Sequence, residues 1–143
     1  MKTTNTGSAT YEGLGKNGKG HVSTGSGALD QQPYGFNTRF EGARGTNPEE
    51  LIAAAHASCF TMALSFQLAE AGHTDGSLST SCEVTLEKDD SGFTVTRSAL
   101  STRASVPGME QGRFEELAKK AKENCPISKL LDTEITLETE FAG

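Results

Sequence analysis

Between residue 47 and about residue 72, apolar side chains occupy nearly every side of a helical projection of "PEELIAAAHASCFTMALSFQLAEAG". The stretch "TNPEE" starts this helix. Thr46 or Asn47 serves as cap, Pro48 sits in the first turn, and Glu49 and Glu50 lie where the helix dipole favours acids. Gly72 is a natural stop. Beyond it the period falls to two: in "SCEVTLE", Cys82, Val84 and Leu86 share one face while Glu83, Thr85 and Glu87 share the other. "DDSG" then turns the chain into "FTVTRSALSTRASV", so an antiparallel hairpin is expected over about 79–106. Its apolar phase begins on Phe93 and Val95 and moves to Leu100 and Ala104, which predicts a bulge near Arg97 to Ala99. Phe114, Leu117, Ala118 and Ala121 form the stripe of an amphipathic helix over about 111–124. "TEITLETEF" alternates as a final strand over about 133–141. Residues 1–46 carry most of the glycines, with β-type pieces between turn signals; three short strands and no helix are expected within about 8–44.

That order defines an α+β class, with antiparallel sheets packed around a central buried helix in one domain over 1–143. A helix apolar all round must be covered all round, and thin, glycine-rich strands do not supply that cover. A homodimer burying these helices together is expected. At 143 residues the chain can bury a core without disulfides or a structural metal. Its net charge of -6 removes the attraction to phosphate on which non-specific nucleic-acid binding rests. The N-terminus has no apolar core of signal-peptide length, and the apolar run at 51–69 is broken by His56, Ser58, Ser65 and Gln67. A cytoplasmic protein without a membrane segment is therefore expected. Three cysteines, at 59, 82 and 125, make no disulfide scaffold, and no C-x-x-C pair marks a zinc site. Neither metal nor bound cofactor is expected.

Any thiol chemistry must combine residues far apart in sequence. Cys59 read alone is a small apolar residue of a buried helix, since no cation lies within a turn of it to lower its pKa. His56, three residues earlier, reads as structural, because H-x-x-C alone is a weak metal or catalytic signal. Cys82 alternates inward with Val84 and Leu86 and also reads as structural. Cys125 precedes Pro126, where "PISKLL" can open a helical turn whose N–H groups favour thiolate; a loop cysteine covering the core edge fits the pattern equally. Arg39, flanked by Phe36 and Phe40, is either a shielded cation or a solvated one, and Arg44 in "GARGT" reads as exposed.

Taken together, "QQPYGFNTRFEG", "GTNPEELIAAAHASCFTMALS" and "AKENCPIS" resemble the OsmC/Ohr family of thiol-dependent hydroperoxide reductases, on its OsmC branch, across essentially the whole chain. The resemblance implies that Cys59 is the peroxidatic thiol and Cys125 the resolving one. It implies that Arg39 stabilises the Cys59 thiolate while Glu49 holds Arg39. It further implies an intertwined homodimer with two interfacial active sites, an organic hydroperoxide as substrate, an external dithiol such as a lipoyl group as reductant, and a place in oxidative or osmotic stress defence. Cys82 receives no role from it. Phe36, Phe40, Phe60 and Met62 are the expected lining of an apolar pocket. A non-enzymatic dimeric module binding an apolar small molecule, or a redox sensor, is the competing reading.

One spacing complicates that assignment. Glu49 and Cys59 are ten residues apart, about 15 Å along an unbroken helix. Either the helix breaks near Ala54 to His56, placing Cys59 by a second helix N-terminus, or the long Arg39 side chain bridges the gap, across subunits if need be.

Overall fold

A computed structural model describes all residues, Met1–Gly143. The chain forms two compact units, Met1–Leu51 and Ile52–Gly143.

In the first unit, strands β1 (Gly7–Glu12), β2 (Lys19–Thr24) and β3 (Gln32–Tyr34) form an antiparallel sheet in the order β1-β2-β3. A short helix, α1 (Phe36–Phe40), follows where no helix was expected. The aromatic, β-type composition of "FNTRF" is overridden by Thr38. Its hydroxyl accepts from the Gly35 N–H at 2.8 Å and donates to the Gly35 carbonyl at 3.0 Å, and the Arg39 N–H closes the turn on that same carbonyl.

Helix α2 spans Pro48–Glu70. Asn47 is its cap, with Oδ1 accepting from the Glu50 N–H at 2.8 Å, while the Thr46 hydroxyl donates to the Glu50 carboxylate. At the other end the His73 N–H reaches the Leu68 carbonyl and the Gly72 N–H that of Ala69, with Gly72 at φ +93°. This is the paired closure that a left-handed residue permits. The helix does not break near Ala54 to His56. No glycine or proline lies between Glu49 and Glu70 to interrupt its hydrogen-bond ladder.

In the second unit, strands β4 (Ser77–Asp89) and β5 (Gly92–Ser105) form the hairpin, and β6 (Glu134–Ala142) lies on the far side of β5. The bulge falls at Thr85/Leu86: Thr85 faces Arg97 and Leu86 faces Val95, leaving Thr96 as the extra residue, just before the stretch the phase shift indicated. The sheet is not wholly antiparallel, because β6 runs parallel to β5. Helices α3 (Gln111–Asn124) and α4 (Pro126–Leu130) carry the chain back before β6 begins, and such a crossover makes neighbouring strands parallel.

The core of this unit joins Phe60, Leu64 and Leu68 of α2, Leu100 and Ala104 of β5, and Phe114, Leu117, Ala118 and Ala121 of α3. On α2 the buried positions are His56, Phe60, Leu64 and Leu68, a single i, i+4 stripe, so the helix is covered on one side only. Met62 and Phe66 stand 60% and 65% exposed, which leaves apolar surface uncovered. By length and composition α2 could cross a membrane, with a mean hydropathy of 1.4; its buried stripe packs it as a core helix. Phe114 is fully buried and stacks on Phe141 of β6 at 4.6 Å between ring centres. Phe114→Ala is expected to cost about 3–5 kcal/mol in a urea unfolding curve, because the ring leaves a cavity between α3 and β6. A loss under about 1 kcal/mol would contradict that packing.

Candidate active site

Two constellations of side chains emerge, one in each unit. In the first, Arg39 in the last turn of α1 meets Glu49 in the first turn of α2 through a bidentate pair, Nε to Oε1 at 2.7 Å and Nη2 to Oε2 at 2.8 Å. Parallel N–H···O⁻ bonds fix the plane of the guanidinium as well as its position. The Glu49 side chain is only 12% exposed, and its hydrogen bond and charge hold the Arg39 pKa above its ordinary value, so Arg39 is a permanent cation. Phe36 and Phe40 pack at 5.0 Å, and with Tyr11, Tyr34, Lys16 and Arg39 they line a cleft of about 360 Å³. An apolar wall with one fixed cation along it can take a molecule that has an apolar body and a polar end.

The second constellation lies in residues 52–143. Cys59, on α2, and Cys125 are both free thiols, and although 66 positions separate them in the chain they lie near enough for the charge of one to act on the other. Cys125 is the N-cap of α4: its backbone is extended at φ -64° and ψ 139°, as the following Pro126 requires, and its sulfur accepts from the Ser128 N–H at 3.3 Å. The neighbouring backbone N–H of the same turn, that of Ile127, favours the Cys59 thiolate. A helix N-terminus does therefore approach Cys59, but it is that of α4, not of a broken α2. Burial is the largest influence on Cys59 and pushes its pKa up; the Ile127 N–H pulls it down, and the charge and thiol of Cys125 push it up again. The net direction is upward, so within this unit the thiol form is favoured and a cation is needed to make Cys59 a ready nucleophile.

Behind the two thiols lies a buried polar chain that patterns along the sequence did not disclose. His56 is fully buried, with Nδ1 at 2.6 Å from the Ser98 hydroxyl and Nε2 at 2.7 Å from the Ser128 hydroxyl. Ser128 Oγ continues to Cys125 Sγ at 3.0 Å, and Ser98 Oγ to Cys82 Sγ at 3.2 Å. Burial lowers the His56 pKa, so the ring is neutral at pH 7. The signals were faint: Ser98, like Thr102, is a polar residue on the inward phase of β5, and Ser128 is the third residue of a proline-started turn. Phe60 does not line a pocket; it is fully buried in the core. Met62 borders a separate groove of about 650 Å³ with Ala54, Ser58 and Leu78. No group of three or more His, Cys, Asp or Glu side chains is placed to hold a metal ion.

A pair of neighbouring free cysteines, one on a core helix and one at the first turn of a short helix, in an α+β fold, defines a dithiol protein. Residues 41–140 match the model of the OsmC-like protein family, and the chain belongs to that family. It is 57% identical over 135 residues to "Peroxiredoxin OsmC" of Escherichia coli K12, covering 94% of each chain. Its fold superposes on the crystal structure of the organic hydroperoxide resistance protein OhrB of Bacillus subtilis with a TM-score of 0.66 and 29% identity, over 95% of this chain and 97% of that one. An OsmC-like protein from Mycoplasma pneumoniae shares the fold at a TM-score of 0.77 with 13% identity, over the whole of both chains.

Proposed function

We propose that this protein is a thiol peroxidase that reduces organic hydroperoxides to alcohols. The observation that carries the reading is that Cys59 and Cys125 come near enough for each thiol to act on the other, beside the first turn of α4, whose Ser128 N–H donates to the Cys125 sulfur. The names of the relatives, a peroxiredoxin and an organic hydroperoxide resistance protein, support it. A module that merely binds apolar molecules has no use for two neighbouring thiols.

The Cys59 thiolate attacks the terminal oxygen of the hydroperoxide, the O–O bond breaks, the alcohol leaves, and Cys59 becomes a sulfenic acid. Cys125 then condenses with it, forming a disulfide and releasing water. An external dithiol, a lipoyl group in our reading, reopens the disulfide by exchange. Arg39, fixed by Glu49, supplies the cation that the part-buried Cys59 thiol needs, and it stabilises the developing oxyanion. On the unbroken α2 about 15 Å separate Glu49 from Cys59. A homodimer with interfacial sites closes that distance by bringing Arg39 of one protomer to Cys59 of the other, and the uncovered face of α2 at Met62 and Phe66 gives such a dimer a surface to bury. The phenylalanine-lined cleft beside Arg39 favours organic over inorganic peroxides by about 0.8 kcal/mol for each buried CH₂. Free thiols and a dithiol reductant belong in a reducing cytoplasm.

The test is to add one equivalent of cumene hydroperoxide to reduced protein and map the products by mass spectrometry. A Cys59–Cys125 link with the alcohol released is expected, and hydrogen peroxide should react more slowly. Both thiols intact after exposure would sink the assignment.

A further inference from the structure

His56 is a buried, titratable group that the peroxidase reaction as written does not use. It stands at the centre of an unbroken chain of hydrogen bonds: Cys125 Sγ to Ser128 Oγ at 3.0 Å, Ser128 Oγ to His56 Nε2 at 2.7 Å, His56 Nδ1 to Ser98 Oγ at 2.6 Å, and Ser98 Oγ to Cys82 Sγ at 3.2 Å. One arrangement of protons satisfies every member. Cys125 S–H donates to Ser128, whose O–H donates to His56 Nε2, while Nδ1–H donates to Ser98, whose O–H donates to Cys82. Shifting two of these protons by one place leaves every hydrogen bond intact, now with a Cys125 thiolate, a neutral Ser128 and a His56 imidazolium. The thiolate keeps two donors, the Ser128 hydroxyl and the Ser128 backbone N–H.

We propose that His56 is the proton acceptor for the resolving step, withdrawing the Cys125 proton through Ser128 so that Cys125 attacks the Cys59 sulfenic acid as a thiolate. The proposal rests on the peroxidase reading of the two cysteines. In the step the S–S bond forms and the S–O bond of the sulfenic acid breaks. The Cys125 sulfur is oxidised and the Cys59 sulfur reduced, both to the disulfide level. The leaving hydroxide is protonated as His56 gives up the proton it took, so one water is released and the imidazole ends neutral. No further oxidant or reductant enters.

The surroundings suit such a relay. The titratable groups around His56 are thiols: Cys59 one turn on along α2, Cys82 on β4 with its sulfur 4.0 Å from Nδ1, and Cys125 at α4 beyond Ser128. Burial alone shifts the ring, and it shifts it downward, so the base is free at neutral pH and is lost only as pH falls below the ordinary histidine range. Because His56 acts through Ser128, it positions and moves a proton without touching the peroxide.

The experiment is a single-turnover reaction of the full-length protein with cumene hydroperoxide and no reductant. It follows peroxide loss, dimedone-trapped sulfenic acid at Cys59 and the Cys59–Cys125 disulfide over time. His56→Gln keeps hydrogen bonds to both serines but accepts no proton. It is expected to consume peroxide within about twofold of the natural protein while forming disulfide about 100-fold more slowly at pH 7, so that sulfenic acid accumulates. The defect should shrink as pH is raised, because hydroxide can then take the proton that the missing imidazole would have accepted; a purely structural role would not give that profile. Ser128→Ala, which cuts the relay and leaves His56 in place, should show the same split and stands in if His56→Gln does not fold. Disulfide formation at the natural rate and with the natural pH profile in either folded variant overturns the relay. Failure of the unmodified protein to consume peroxide and form the Cys59–Cys125 disulfide overturns the peroxidase reading instead, and the relay with it.

Discussion

Replacing Cys59 with serine is expected to reduce peroxide consumption to the uncatalysed background, a loss of about 10⁴-fold or more, since a serine hydroxyl at this place has no base to activate it and no route to a sulfenic acid. Cys125→Ser is expected to behave differently. It should consume one equivalent of peroxide at close to the natural rate, leave a sulfenic acid on Cys59, and then stall or over-oxidise. The difference follows from the geometry around the two sulfurs. Cys59 is part-buried, whereas Cys125 is 1% exposed and capped by the Ser128 N–H, a thiol placed to meet its neighbour and not a free substrate. Measuring peroxide loss against dimedone labelling in the two variants separates the roles. Rapid multiple turnover by Cys59→Ser, or a dead first step in Cys125→Ser, would reverse or abolish the assignment.

Arg39→Ala carries the second large effect. Burial and the Cys125 sulfur raise the Cys59 pKa, so thiolate is scarce at pH 7 and increases as pH rises through that pKa. A cation within about 4–6 Å lowers such a pKa by about 1–3 units, and each unit is about tenfold in thiolate at a pH below it. Arg39→Ala is therefore expected to slow peroxide consumption by about 10- to 100-fold at pH 7 and to move the midpoint of iodoacetamide alkylation of Cys59 to higher pH. Glu49→Gln should give a smaller shift in the same direction, because it loosens the guanidinium without removing its charge. An alkylation profile unchanged in Arg39→Ala would remove Arg39 from the site.

Local chemistry wrote much of the fold into the sequence. The cap at Asn47, the stop at Gly72, the apolar stripe from Phe114 to Ala121 and the N-cap at Cys125 each depend on residues within a few positions of one another. The Arg39–Glu49 pair was legible for a different reason. It came from a family resemblance carried by motifs, and the bidentate bond now gives it a physical form. Where the local reading failed, competing interactions decided. Thr38 turned an apparent strand residue run into α1, and the absence of glycine or proline kept α2 whole through Cys59. The direction of β6 was not local either, because it depends on where α3 and α4 return the chain.

The sequence by itself determined α2, α3 and the hairpin, because capping and periodicity are short-range properties, and its motifs singled out the two cysteines of the proposed reaction. Only the tertiary structure decided what surrounds Cys59 and His56. Cys59 comes under the influence of Cys125 and of the Ile127 N–H of α4, and His56 bonds to Ser98 and Ser128, 42 and 72 positions away. No local pattern encodes such meetings. They follow from burying one stripe of α2 against β5 and α4, where every polar atom taken out of water must find a partner, and the partners it found are hydroxyls and thiols.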